Sequence, residues 1–136
     1  MTTPLVSIVT PVLNGERYIR QCLDSVAAQQ FLFLPGQVVG VVSTLEHIVV
    51  DGISSDGTMA ILADYQQKYS HLKIACEPAR GVGAAVNTGF EIAKGSVLGW
   101  IDSDDYYEPG AIQTVVDYFH AHPEAMLVYG GCNIVN

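Results

Sequence analysis

Short apolar runs in this chain alternate with longer segments whose apolar residues recur at helical spacing. That alternation limits it to an α/β architecture more tightly than any other feature. Leu5-Val6-Ser7-Ile8-Val9-Thr10, ended by Pro11, suits a buried strand. After the Asn14-Gly15 turn, Glu16 to Ala28 places Tyr18, Ile19, Cys22, Leu23 and Val26 on one helical stripe. Glu46 to Val50 reads as a second strand and Thr58 to Tyr69 as a second helix. Lys73 to Cys76 is a third strand, and Gly83 to Lys94, stopped by Gly95, a third helix. Val97 to Ile101 is a fourth strand. Pro109 opens a helix to about His120, and Met126 to Tyr129 reads as a fifth strand. Strands joined through helices of this length imply right-handed crossovers and a mostly parallel sheet with helices on both faces.

The fourth strand runs straight into Asp102-Ser103-Asp104-Asp105. Such a strand places its acids at the carboxyl edge of the sheet, where open α/β sheets bind ligands. Carboxylates this close repel one another, so the cluster calls for a cation or strong hydrogen-bond donors. A hard divalent metal shared between one or two carboxylates and substrate phosphates meets that need. Asp51-Gly52-Ile53-Ser54-Ser55-Asp56-Gly57-Thr58, at the end of the second strand, is a second candidate for the same edge. Gly52 and Gly57 suit turns that other residues resist, and Asp51 stands where it can accept from a base or sugar. Asp56 equally suits a cap on the next helix. With Thr10-Pro11 after the first strand, these segments would surround one crevice.

Composition narrows the partners. The net charge is −8 with only six Lys and Arg, which argues against a nucleic-acid partner, since phosphate-backbone binding needs a basic face. At 136 residues the chain reads as one domain, and with 49% hydrophobic residues it can build a core. Cys22, Cys76 and Cys132 show neither disulfide nor zinc spacing, and read as buried reduced thiols. His47, His71, His120 and His122 show no metal spacing with the acids. Met1 to Pro4 offers no basic flank for a signal peptide, so a cytoplasmic location is expected. Gln30 to Leu45 carries apolar pieces on either side of Pro35-Gly36. It reads as a packed loop or extra edge strand, or else as an exposed patch, Phe31 to Val42, for self-association or a membrane surface.

Gly81-Val82-Gly83 begins like a dinucleotide fingerprint but lacks its third small residue in place, so a tight turn at a helix start is the better reading. Core packing is the expectation for Trp100. Tyr106 and Tyr107 could line a sugar pocket or lie on the surface. Asp117 and Glu124 read as solvent-facing acids.

Taken in order, Pro11 to Glu16, Val50 to Thr58, Asn87-Thr88-Gly89 with Ala93-Lys94-Gly95, and Asp102 to Asp105 resemble family 2 glycosyltransferases. The likeness runs from about Leu5 to Tyr129. It implies a Rossmann-like GT-A fold, a three-layer α/β/α sandwich on a mostly parallel sheet. It also implies a nucleotide-diphosphate sugar donor, a sugar or lipid-linked acceptor, and Mn²⁺ or Mg²⁺. By that resemblance Thr10, Pro11, Leu13 and Asp51 form the base pocket, and Asp102 and Ser103 meet the nucleotide. Asp104, with Asp102, holds the metal, and Arg80, Asn87 and Asp105 face the sugar. The reaction implied is sugar transfer to an acceptor hydroxyl, with inversion, in polysaccharide or glycoconjugate synthesis. A nucleotide-sugar-binding module without turnover is the alternative. A lipid-linked acceptor would bring the protein to the inner face of a membrane.

Three features depart from the family pattern. Leu13 stands where many members carry an aromatic residue to stack on the base. The link between Gln29 and Glu46 is longer than usual. Family members continue into an acceptor-binding half that supplies the catalytic base. Residues 1–136 read as the nucleotide-sugar-binding domain alone, so no catalytic base is assigned.

Overall fold

The computed structural model describes residues 5–29 and 45–135. Both readings of the stretch around Phe31 to Val42 fall outside these residues. The described elements are β1 (Val6–Val12), α1 (Ile19–Ala27), β2 (Leu45–Asp51), α2 (Thr58–Lys68), β3 (Leu72–Cys76), α3 (Val82–Ile92), β4 (Val97–Trp100) and α4 (Ala111–Ala121). The strands form one parallel sheet in the order β3-β2-β1-β4.

The two faces are built from alternate residues of the same strands, as the pleat requires. Val6, Ile8 and Leu45 meet Cys22 and Val26 of α1 and Ile112 and Val116 of α4. Further along that face, Val12 and Val49 pack with Ile19 and Leu23 of α1 and Ile61, Leu62 and Tyr65 of α2. Val9, Ile48 and Val50 point the other way, against Ala85, Phe90 and Ala93 on and just after α3. Three layers result. The small residues of α3 let it lie close: a Cβ on Gly89 would stand 2.3 Å from Cγ1 of Val9. Burying side chains of this size contributes about 1.5–3 kcal/mol each.

Glu46 and His47 interrupt the apolar run of β2, and both are buried, as is Asp51 at its end. Glu46, at the amino end of the sheet, accepts hydrogen bonds from Ser7 of β1, Lys73 of β3 and the backbone N–H of Lys94. Ser7 in turn accepts from the Gly95 N–H. Burial works to raise the Glu46 pKa, but these donors outweigh it and hold the carboxyl below its ordinary value. His47 lies in the opposite layer, its Nε2 paired with Thr10 Oγ1 at 2.7 Å. Its Nδ1 is buried without a hydrogen-bond partner.

Register sets the heights of the strand ends. Val12, Asp51 and Cys76 are level, whereas the last residue of β4, Trp100, aligns with Val9. Ile101 continues the ladder by donating to the Val9 carbonyl. The acids that follow therefore rise beside Thr10 to Val12 rather than beyond the sheet.

Several expectations need correction. Met126 to Tyr129 forms no strand. Met126 and Tyr129 are 95% and 90% exposed, and an apolar run without a neighbouring ladder has nothing to satisfy its backbone. Trp100 is exposed, because it points to the α3 side of β4, which α3 leaves uncovered by lying over β1 and β2. Only Cys22 is a buried thiol; Cys76 and Cys132 are exposed. Among the described residues no helix is long and apolar enough to cross a membrane.

Candidate functional site

The loops after β1 and β2 are stitched together along their length. Asn14 Oδ1 accepts from the backbone N–H groups of Ser55 and Asp56, and the Asn14 N–H donates to Ser54 Oγ. The Gly15 N–H donates to Thr58 Oγ1 at 2.9 Å. Glu16 accepts from the Gly57 N–H, while its own N–H donates to Asp56. Asp56 also accepts from the hydroxyl and N–H of Thr58, which hold its carboxyl below the usual range and cap the start of α2. This exchange fixes both loops as one wall. The sequence marks Asn14 as a turn residue and Glu16, Ser54 and Ser55 only as members of two motifs, without this role, although Asn14 and Ser54 are residues that commonly hydrogen-bond to backbone in turns.

Positive φ falls at two non-glycine positions of these loops. Asn14 has φ 52° and Ile53 φ 64°, whereas Gly52 and Gly57 adopt negative φ. Gly52 is needed for space instead. A Cβ there would lie 3.0 Å from Ala79 Cβ and 3.4 Å from Leu13 Cδ1.

Beside this wall opens a cavity of about 520 Å³. One end is lined by Pro11, Leu13, Val50, Gly52, Pro78 and Ala79, at the carboxyl ends of β1, β2 and β3. The other end is formed by Asp102, Ser103 and Asp104 after β4, and Glu77 and Arg80 border it near the start of α3. Carboxylate oxygens of Asp102, Asp104 and Asp105 all lie within 4.8 Å of one another, and all three residues are exposed. Among the described residues none of the three is ion-paired. Burial, then the charges of Asp104 and Asp102, raises the Asp105 carboxyl. An all-oxygen donor set with unrelieved repulsion fits a hard divalent cation.

The candidate residues divide accordingly. Pro11, Leu13, Arg80, Asp102, Ser103 and Asp104 line the cavity. Thr10 and Asp51 do not: both are fully buried. The Thr10 hydroxyl is engaged with His47. The two Asp51 oxygens accept from the N–H and hydroxyl of Ser54, at 2.9 and 2.6 Å. Asn87 is exposed on α3 outside the cavity, and Asp105 faces a neighbouring groove shared with Tyr106 and Tyr107. Arg80 lies 3.6 Å from Glu77, whose oxygens also accept from Thr88.

Fold and cavity together define an open parallel α/β domain with a crevice at the carboxyl edge of the sheet, the place where such sheets bind ligands. The model of glycosyl transferase family 2 matches residues 7–133, and the chain belongs to that family. Chondroitin synthase of Escherichia coli is 30% identical over 126 residues, covering 93% of this chain and 17% of the relative. Among solved structures, Staphylococcus aureus TarS 1-349 in complex with UDP superposes with a TM-score of 0.71 at 28% identity. That match covers 87% of this chain and 32% of TarS. A mannosyltransferase from Pyrobaculum calidifontis in complex with GDP-Man and Mn²⁺ shares the fold, with a TM-score of 0.71 at 24% identity over 87% of this chain and 33% of that one. The fold is the GT-A arrangement of glycosyltransferases. The chain thus spans about a third or less of these proteins.

Proposed function

We propose that this domain binds a nucleotide-diphosphate sugar in the cavity together with Mn²⁺ or Mg²⁺, and serves as the donor side of sugar transfer to an acceptor hydroxyl in polysaccharide or glycoconjugate synthesis. The observation that carries this reading is the pairing, in one crevice, of an apolar end with an unneutralised carboxylate cluster. Family membership and the UDP complex of TarS support it.

The charge balance of the cavity explains why a cation is needed. Among the described residues its lining acids are Glu77, Asp102 and Asp104, and its one lining cation, Arg80, stands beside Glu77. A diphosphate entering alone would be repelled. Asp102 and Asp104 are the residues that would hold the metal, Asp104 foremost. When bound, such an ion neutralises the diphosphate and stabilises the charge that grows on it as a leaving group. Pro11 and Leu13 offer apolar contact to the nucleoside, the Ser103 hydroxyl reaches the nucleotide, and Arg80 stands near the diphosphate or sugar.

A second reading, a nucleotide-sugar-binding module without turnover, is favoured by one observation. Among the described residues the carboxylates lining the cavity all stand on the donor side, Glu77 held by Thr88 and Arg80 and Asp102 and Asp104 assigned to the metal, and none of them is offered to an acceptor as a general base. Inversion and the acceptor's identity belong to the first reading and rest on the family resemblance.

Calorimetric titration of UDP-, GDP- and dTDP-sugars with and without Mn²⁺ tests the donor site. Binding is expected only with Mn²⁺, and Asp104→Asn should weaken it at least tenfold, about 1.4 kcal/mol, while leaving the circular dichroism unchanged. Equal affinity in the variant would remove the metal assignment. Release of free sugar or transfer to an added acceptor would separate the enzyme from the module.

A further inference from the structure

We infer that Gln29 is a positioning residue for the proposed metal site, with Ser25 as its partner. From α1 and the turn after it, the two pin the residues that follow the carboxylate cluster and so hold Asp102 and Asp104 ready for a cation. The inference rests on the donor-site reading above, and it concerns two residues that do not line the cavity.

The cluster sits on chain that has no regular structure of its own. Residues 101–110 form neither helix nor strand. Carboxylate oxygens of Asp102, Asp104 and Asp105 lie within 4.8 Å of one another. Like charges at that distance push apart, so the segment needs a hold on both sides. On the near side Ile101 is buried, and its N–H donates to the Val9 carbonyl at 3.0 Å. Within the segment the Asp105 N–H donates to the Asp102 carbonyl at 3.1 Å, which folds the acids together.

On the far side the hold comes from α1. The Tyr107 N–H donates to Ser25 Oγ at 3.1 Å, and the Ser25 hydroxyl is itself fixed by donating to the Cys22 carbonyl. Gln29 is only 4% exposed. Its Nε2 donates to the Glu108 carbonyl at 2.9 Å, and its Oε1 accepts from the Ile112 N–H at 3.2 Å. The second bond satisfies a donor in the first turn of α4, where the preceding Gly110 has no side chain to do so. One buried amide thus joins the end of the acidic loop to the start of the next helix. Tyr107 and Ile112 also pack into the core beside α1, but apolar contact is non-directional and the paired polar groups fix the register. Between the two anchors lie Asp102 to Tyr106, the acids among them.

Because the folded chain already holds the carboxylates together, an arriving ion need not gather them. Groups that orient metal ligands from outside the coordination sphere typically change metal affinity by about 10–100-fold. Gln29 acts through the backbone and touches no acid of the cluster, which places it at the lower end of that range.

Amide NMR of the labelled intact chain, titrated with Mg²⁺ alone, tests this. Saturable shifts at Asp102 to Asp105 give the affinity. Gln29→Ala should weaken it about tenfold and Ser25→Ala about threefold. Leu62→Ala, which opens the core under α2 away from both anchors, is the control for lost stability and should leave the affinity within twofold. Unchanged affinity in a folded Gln29→Ala variant would overturn the inference while leaving the metal site standing. So would an equal loss in Leu62→Ala, which would mark the effect as general loosening. Should Gln29→Ala fail to fold, Ser25→Ala against Leu62→Ala decides on the same terms. Absence of saturable shifts at Asp102 to Asp105 in the unsubstituted chain would overturn the metal assignment and this inference with it.

Discussion

Ile53 carries the clearest local cost in the molecule. A β-branched residue at φ 64° is held in the left-handed region, where L-residues lose about 1–2 kcal/mol. Its side chain is 61% exposed, so little burial offsets that loss. The conformation persists because Asn14 donates to Ser54 and accepts from the N–H groups of Ser55 and Asp56, which holds the loop on either side. Ile53→Gly should raise stability by about 0.5–1 kcal/mol, the strain relieved minus the added freedom of the unfolded chain. Chemical denaturation measures it, and a loss of stability would mean that Ile53 has a packing role. At this scale the sequence was readable where chemistry is concentrated in one segment. Asp102-Ser103-Asp104 announces a charged edge by itself. It was unreadable where a side chain's partner is remote: nothing local distinguishes an Asp51 that faces a cavity from one locked by Ser54, or a Thr10 at a pocket from one bonded to His47.

The order of elements was legible because hydrophobic period and strand length are local properties. β1 to β4 and α1 to α4 lie where the pattern places them, with ends differing by a few residues. The pattern failed at Met126 to Tyr129, since an apolar run reports a preference for burial but not the presence of a ladder to join. It also failed at Trp100, whose exposure depends on how far α3 reaches across the sheet. The closeness of α3 to β1 is set at Gly89. Alanine there would gain about 1 kcal/mol in helix propensity. Its Cβ, however, would meet Val9 at 2.3 Å, and overpacking of a tight contact costs typically about 1–3 kcal/mol, more when backbone must shift. Gly89→Ala should therefore destabilise the domain by about 1–2 kcal/mol, visible as a lower thermal midpoint. A rise in the midpoint would show that α3 has room to move.

For the whole molecule, the two ends of the sheet have different roles. The amino end is closed by Glu46, which ties β1, β2, β3 and the turn before β4 together. The carboxyl end is left open and acidic. Between them, His47 makes stability depend on pH. Burial, with a smaller contribution from His71, lowers its pKa from 6.5 to about 3. The fold thus prefers neutral His47 while the unfolded chain takes up a proton near pH 6.5. The contribution is complete above that pH and declines as pH falls toward 3, each unit of separation being worth ~1.4 kcal/mol. Melting temperatures should fall between pH 7 and 4, and His47→Gln, which can keep the Thr10 bond, should flatten that part of the profile. An unchanged slope would place the acid sensitivity elsewhere.

At the open end, the proposed donor site needs a divalent cation, gathered by Asp102 and Asp104, to bring a sugar nucleotide into the crevice they share with Leu13 and Gly52. Amide NMR of the labelled chain with UDP-sugar and substoichiometric Mn²⁺ reads this directly, because the paramagnetic ion broadens nearby signals. Broadening should centre on Asp102 to Asp104 and extend to Gly15, with nucleotide-induced shifts at Leu13, Gly52 and Ala79 when Mg²⁺ replaces Mn²⁺. Broadening centred elsewhere, or shifts that spare the loops after β1 and β2, would contradict it.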